Sequence, residues 1–121
     1  MIRIFILCII FITFPCSATG GKDIDARLKL KKWGMAYCLF NRYGDKMDSD
    51  SGGALDGYFQ LGKHNSENAY EAVRKYFNES ISKNKKVSVL SGKKNILMAC
   101  LDAYESEEYI KIIEQQDKWI Q

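Results

Sequence analysis

The sequence predicts an all-α fold, a single small domain of about five helices stapled by one disulfide. Two observations carry that expectation. Beyond residue 22, apolar residues recur at three- and four-residue spacing through most of the chain, which is the period of one helix face. Strand character is limited at most to Val87 to Leu90, and no repeat, second domain or low-complexity tract is present.

Residues 1–18 read as an export leader outside that fold. Arg3 gives a positive start, Ile4 to Phe14 is apolar apart from Thr13, and Cys16-Ser17-Ala18 offers small residues for cleavage. The expectation is a signal peptide cut after Ala18, with 19–121 as the working domain. The apolar run is shorter than the ~20 residues of a comfortable membrane span, and no second run follows. No membrane attachment is therefore expected after cleavage. Cutting before Cys16 would give a lipoprotein instead, but Pro15 is a poor residue just ahead of a lipid-acceptor cysteine.

Removing the leader takes Cys8 and Cys16 and leaves Cys38 and Cys100. Two thiols in an oxidising compartment most simply pair, so Cys38–Cys100 is the expected disulfide. The other uses of Cys38 lack partners. A nucleophilic thiol needs a base, and the single histidine, His64, lies in the polar stretch GKHNSEN, where it is expected to be solvated. A zinc site needs about four nitrogen or sulfur ligands at suitable spacing. Glycine-rich phosphate loops, a Gly-x-Ser-x-Gly elbow and paired histidines are all missing. Asp48 with Asp50 and Glu107 with Glu108 read as loop or first-turn charges. The expectation is a non-enzyme with no catalytic residue, no metal and no cofactor. Two other classes stand beside it: a secreted or periplasmic small helical enzyme, and a small-molecule-binding protein, which would need an apolar cavity.

The elements follow in order. From Asp23 to about Tyr43, Ala26, Leu30, Trp33, Tyr37 and Phe40 mark one face, with Lys29, Lys31, Lys32 and Arg42 largely opposite. Gly34 inside this helix costs about 1 kcal/mol against alanine, which implies a close neighbour, expected to be a helix reaching the disulfide. Gly44 to Gly53 is rich in glycine, aspartate and serine and reads as a loop. Its aspartates lack the spacing of a calcium-binding EF-hand. A short helix around ALDGYFQLG ends at Gly62, expected as a C-cap. Ser66 and Glu67 start the next helix, whose buried side is Ala69, Tyr70, Val73, Tyr76, Phe77 and Ile81, running to about Lys83. Lys85 to Asn95 is an exposed connector. Ser91 is expected to cap a helix from Ile96 to Tyr104, with Leu97, Cys100, Leu101 and Tyr104 on one face. Ser106, Glu107 and Glu108 open the last helix, where Tyr109, Ile112, Ile113, Gln116 and Ile120 follow one face to the C-terminus.

Without the leader the chain holds seventeen Lys and Arg against fifteen Asp and Glu, too even a balance to point to nucleic acid. The order Trp33, Tyr37-Cys38, GYFQLG, Ala69-Tyr70, Cys100-Leu101-Asp102-x-Tyr104 and a closing acidic helix with Asp117 resembles the periplasmic immunity proteins of type VI secretion amidase effectors. That resemblance implies an all-helical protein, often a homodimer, located in the periplasm. Its implied partner is a cognate peptidoglycan amidase effector with a catalytic Cys and His, whose cleft it covers to protect the producing cell and its kin. The loop Lys85 to Asn95 is the first candidate for an inserted element and Gly44 to Gly53 the second. Val89, Leu90, Ser91, Lys93 and Lys94 are the expected toxin-binding residues, with the aliphatic pair filling a pocket and the lysines meeting an acidic rim.

Overall fold

A computed structural model of the chain describes residues 20–121, so the expected leader, its cleavage site and Cys8 and Cys16 lie outside the described residues. Five α-helices make up the described chain: α1 (Gly20–Tyr43), α2 (Asp48–Leu61), α3 (Glu67–Lys83), α4 (Ile96–Glu105) and α5 (Glu107–Glu114). Short 3₁₀ turns occupy Gly44–Lys46 and Asp117–Trp119. Extended pairing among the described residues is limited to two isolated antiparallel bridges, His64 with Ile120 and Val87 with Lys94. The all-α expectation holds.

α1 is the spine, in contact with each of the other four helices. It buries Ala26, Leu30, Trp33, Ala36 and Cys38. Helix α3 buries the six residues its periodicity singled out, Ala69, Tyr70, Val73, Tyr76, Phe77 and Ile81. Between them stands Tyr109 of α5, fully buried, stacked on Tyr76 with ring centroids 5.0 Å apart and edge-on to Phe77 at 5.0 Å. Its hydroxyl donates to the Lys31 carbonyl at 2.9 Å. Burial pushes that hydroxyl's pKa well above 10, so it remains a donor. Gly34 is what lets these helices meet. A Cβ there would lie 2.1 Å from Tyr109 Oη, 2.6 Å from Val73 Cγ1 and 2.7 Å from Phe77 Cε2. A close neighbour is present at Gly34 as expected, but it is supplied by α3 and α5 rather than by α4, the helix that reaches the disulfide.

The expected disulfide is formed, Cys38 to Cys100, with Cα atoms 6.0 Å apart and both residues buried. It ties α1 to α4 across a sequence separation of 62, a closure the chain-entropy model values at roughly 4 kcal/mol.

Several local expectations are corrected. The stretch Gly44 to Gly53 is mostly helical, because α2 already begins at Asp48. Its first turn has no side-chain cap; the Ser51 N–H donates to the Met47 carbonyl at 2.9 Å, and the Ser51 hydroxyl donates to the same oxygen. The Phe40 ring lies over Gly52, so a tertiary contact with α1 overrides the turn-forming composition. Gly62 is the C-cap of α2 as expected, its N–H donating to the Phe59 carbonyl at 3.1 Å, but its φ of −68° is open to any residue. What demands glycine there is space, since a Cβ would stand 2.7 Å from Tyr70 Oη. Helix α4 is capped by Asn95, whose side chain accepts from Met98 N at 3.1 Å, rather than by Ser91. Its buried face is Ala99, Cys100 and Ala103, while Leu97 and Leu101 are exposed. The final helix stops at Glu114, and Arg27 donates from Nε to Asp117 Oδ1 at 2.8 Å, pinning the tail to α1.

Candidate functional site

The connector between α3 and α4 is a braced finger with an apolar tip. At its base, Asn84 closes α3 by donating its N–H to the Ser80 and Ile81 carbonyls, and its side chain accepts from Lys86 N at 2.9 Å. The two arms then pair. Val87 bridges Lys94, Ser88 N donates to Lys93 O at 2.8 Å, and Asn95 N donates to Lys86 O at 3.4 Å. At the far end Gly92 N donates to Ser88 O at 2.9 Å, and Gly92 takes a φ of +66°, a left-handed conformation that glycine adopts without steric cost.

Across that turn Val89 is 100% and Leu90 99% exposed, the two most exposed large apolar residues among those described. Fully burying such a side chain is worth about 1.5–3 kcal/mol, which this fold leaves unrealised at two adjacent positions. Ser91 shares the turn, its hydroxyl oxygen accepting from Lys93 N at 3.4 Å. Lys93 and Lys94 follow on the outgoing arm, both exposed. All five residues expected from the sequence to bind toxin thus fall on one finger.

Both roots of the finger are fixed. The incoming arm leaves α3 just beyond Ile81, which is buried in the core. The outgoing arm enters α4 at Asn95, and Cys100, held to α1 by the disulfide, lies about one turn further on. Lys86 Nζ bonds Asp102 at 2.7 Å across the base. A loop held this way loses little freedom on binding.

Neither a free thiol nor a metal-binding cluster is found among the described residues. Both described cysteines are in the disulfide, and no group of three or more His, Cys, Asp or Glu is placed to hold a metal ion. His64 corrects the expectation of solvation. It is buried, with neither ring nitrogen hydrogen-bonded, against the C-terminal tail, whose Ile120 forms an isolated bridge with it. Burial lowers its pKa, and the Asp117 carboxylate partly opposes that. Sequence reasoning missed this because the residue's neighbours in the chain are polar while its neighbours in space come from residues 117–121. An apolar groove of about 310 Å³ runs between α1 and α2, lined among others by Met35, Leu39, Ala54, Tyr58 and Tyr104. It is open to solvent and lies on different elements from the finger.

A family model of type VI secretion system amidase immunity proteins, Tai4, matches residues 29–113, from the third turn of α1 almost to the end of α5. The chain belongs to that family. The match spans the disulfide and the whole finger, and it confirms the resemblance drawn from the order of aromatic and cysteine residues. Searches of curated proteins and of solved structures return no match. As a Tai4 member the protein is an amidase immunity protein of the type VI secretion system. No helix among the described residues is long and apolar enough to cross a membrane.

Proposed function

We propose that this Tai4 member acts in the periplasm, binds its cognate peptidoglycan amidase effector and blocks that enzyme's cleft with the finger Asn84 to Asn95. Val89 and Leu90 enter the cleft, and Ser91, Lys93 and Lys94 meet its mouth. Inhibition is by occupancy, with no chemical change in the toxin. The supporting observation is the tip itself, two adjacent aliphatic side chains held wholly in water on a loop whose two roots are anchored in the core. An anchor that enters a desolvated pocket behaves as a hot spot. The homodimer implied by the resemblance belongs to the same proposal, and sedimentation of the purified protein tests it.

The affinity of Leu90→Asp for the cognate amidase effector tests the reading. The substitution sits on a side chain that touches little of its own fold, so folding is expected to be unaffected. Binding should weaken by about 2 kcal/mol or more, close to thirtyfold. Unchanged affinity would move the contact off the finger.

A further inference from the structure

The finger also differs from the rest of the surface in its charge. On the helical frame, cations largely have partners: Arg27 with Asp117, Lys29 and Lys63 with Asp25, Arg74 with Glu71, and Lys31 over the Tyr104 ring. Between residues 83 and 95 there are five lysines and no Asp or Glu. Of these, only Lys86 has an ion-pair partner among the described residues. Lys83 lies in the last turn of α3, where the helix dipole favours a cation. Lys85, Lys93 and Lys94 have no such reason to be there. They sit on both arms, Lys85 on the incoming one and Lys93 and Lys94 on the outgoing one opposite Ser88 and Val87. The arrangement is a basic collar behind an apolar tip. Like charges nearer than the ~8 Å screening length of physiological salt repel one another, and of the five lysines only Lys86 has a carboxylate partner among the described residues. An open groove of about 700 Å³ runs along the base of the incoming arm, bordered by Lys83, Lys85 and Lys86 on one side and by Asp102 and Glu108 on the other.

We infer that the surface this finger fits is an apolar hollow ringed by carboxylates, and that Lys85, Lys93 and Lys94 govern how fast the protein finds such an amidase and which amidases it rejects. The inference rests on the occlusion reading and adds the chemistry of the partner. Charges around the edge of an interface act mainly on association, through long-range steering that salt screens. An amidase with a basic or neutral rim would be met slowly even where its hollow accepts Val89 and Leu90.

The test is association and dissociation kinetics of the oxidised protein with the cognate amidase effector, at low and at high sodium chloride. The wild type is compared with the triple variant Lys85→Glu, Lys93→Glu, Lys94→Glu and with Leu90→Asp, thermal melting confirming that each folds. The wild-type association rate should fall on the order of tenfold with salt. The triple variant should associate at least tenfold more slowly at low salt and lose the salt dependence, with little change in dissociation. Leu90→Asp should instead dissociate faster and keep the salt dependence. A wild-type association rate indifferent to salt, or a triple variant that associates like wild type, overturns the collar while Leu90→Asp still reports on occlusion. Binding of the wild type to phosphatidylglycerol vesicles more tightly than to the amidase would also overturn it, assigning the lysines to an anionic lipid surface.

Discussion

Gly34→Ala should destabilise the protein by about 2–4 kcal/mol, against the sign that helix propensity gives. In an open helix interior the change would help by about 1 kcal/mol. Here the new methyl would stand 2.1, 2.6 and 2.7 Å from atoms of Tyr109, Val73 and Phe77. None of these is the end of a flexible chain; all belong to fully or almost fully buried side chains. Overpacking of this kind costs about 1–3 kcal/mol. The closest atom is the Tyr109 hydroxyl, which donates to Lys31 O at 2.9 Å, and displacing it strands a buried donor at about 1–3 kcal/mol more. Those two costs together exceed the propensity gain. For a domain near a hundred residues the loss corresponds to a fall in Tm of roughly 10 °C or more. Gly57→Ala is the internal comparison, since Gly57 lies inside α2 with nothing within 4 Å of its Cβ position, and it should stabilise by up to about 1 kcal/mol. Urea and thermal unfolding of the oxidised protein, followed by circular dichroism, reads both. A Gly34→Ala protein as stable as wild type would refute the close-approach reasoning.

Three further outcomes follow from the same structure. Replacing Cys38 and Cys100 together by serine should cost about 2–5 kcal/mol, and mass spectrometry without reductant should find the native pair linked; two alkylatable thiols in protein recovered from the periplasm would contradict this. His64 is buried with its pKa lowered from 6.5 by burial, so below pH 6.5 the unfolded chain takes up a proton that the folded one resists. Its contribution is therefore fully present above pH 6.5 and is lost as pH falls toward the depressed value; His64→Leu should flatten that part of the stability profile, and an unchanged slope would show that the ring is not held neutral. Asp117 and Asp25, both lowered by hydrogen bonds from Arg27 and from Lys29 and Lys63, add a second loss of stability below pH 3.8, with Arg27→Gln removing the Asp117 share; an acid limb identical in that variant would exclude the pair.

The sequence made some of this architecture legible and concealed the rest for physical reasons. The buried face of α3 was readable because one side of that helix is apolar and the other charged. Ser66 and Ser106 were readable as caps, and their hydroxyls do accept from Asn68 N and Tyr109 N. The start of α2 was hidden because Asp48 to Gly53 has turn composition, and its helicity comes from contact with α1 through residues such as Phe40. In α4, Leu97 and Leu101 follow helical spacing yet face solvent, because the small residues Ala99, Cys100 and Ala103 let the helix pack closely. Spacing alone does not distinguish those two faces. The finger was visible as a lysine-rich, non-helical stretch with an aliphatic centre. Its arm pairing and the complete exposure of Val89 and Leu90 depend on Gly92 and on cross-arm hydrogen bonds, which no local pattern reports. His64 was misread because its burial comes from the C-terminal tail, more than fifty residues away in the chain.

The most direct test of the account is a titration of the cognate amidase effector, hydrolysing peptidoglycan stem peptides at fixed concentration, with the purified protein. Occlusion predicts that activity falls linearly and vanishes at one protomer per amidase, that the amidase mass is unchanged, and that Leu90→Asp shifts the curve to higher concentration. An end point far below equimolar, or hydrolysis that persists at saturating protein, would contradict it.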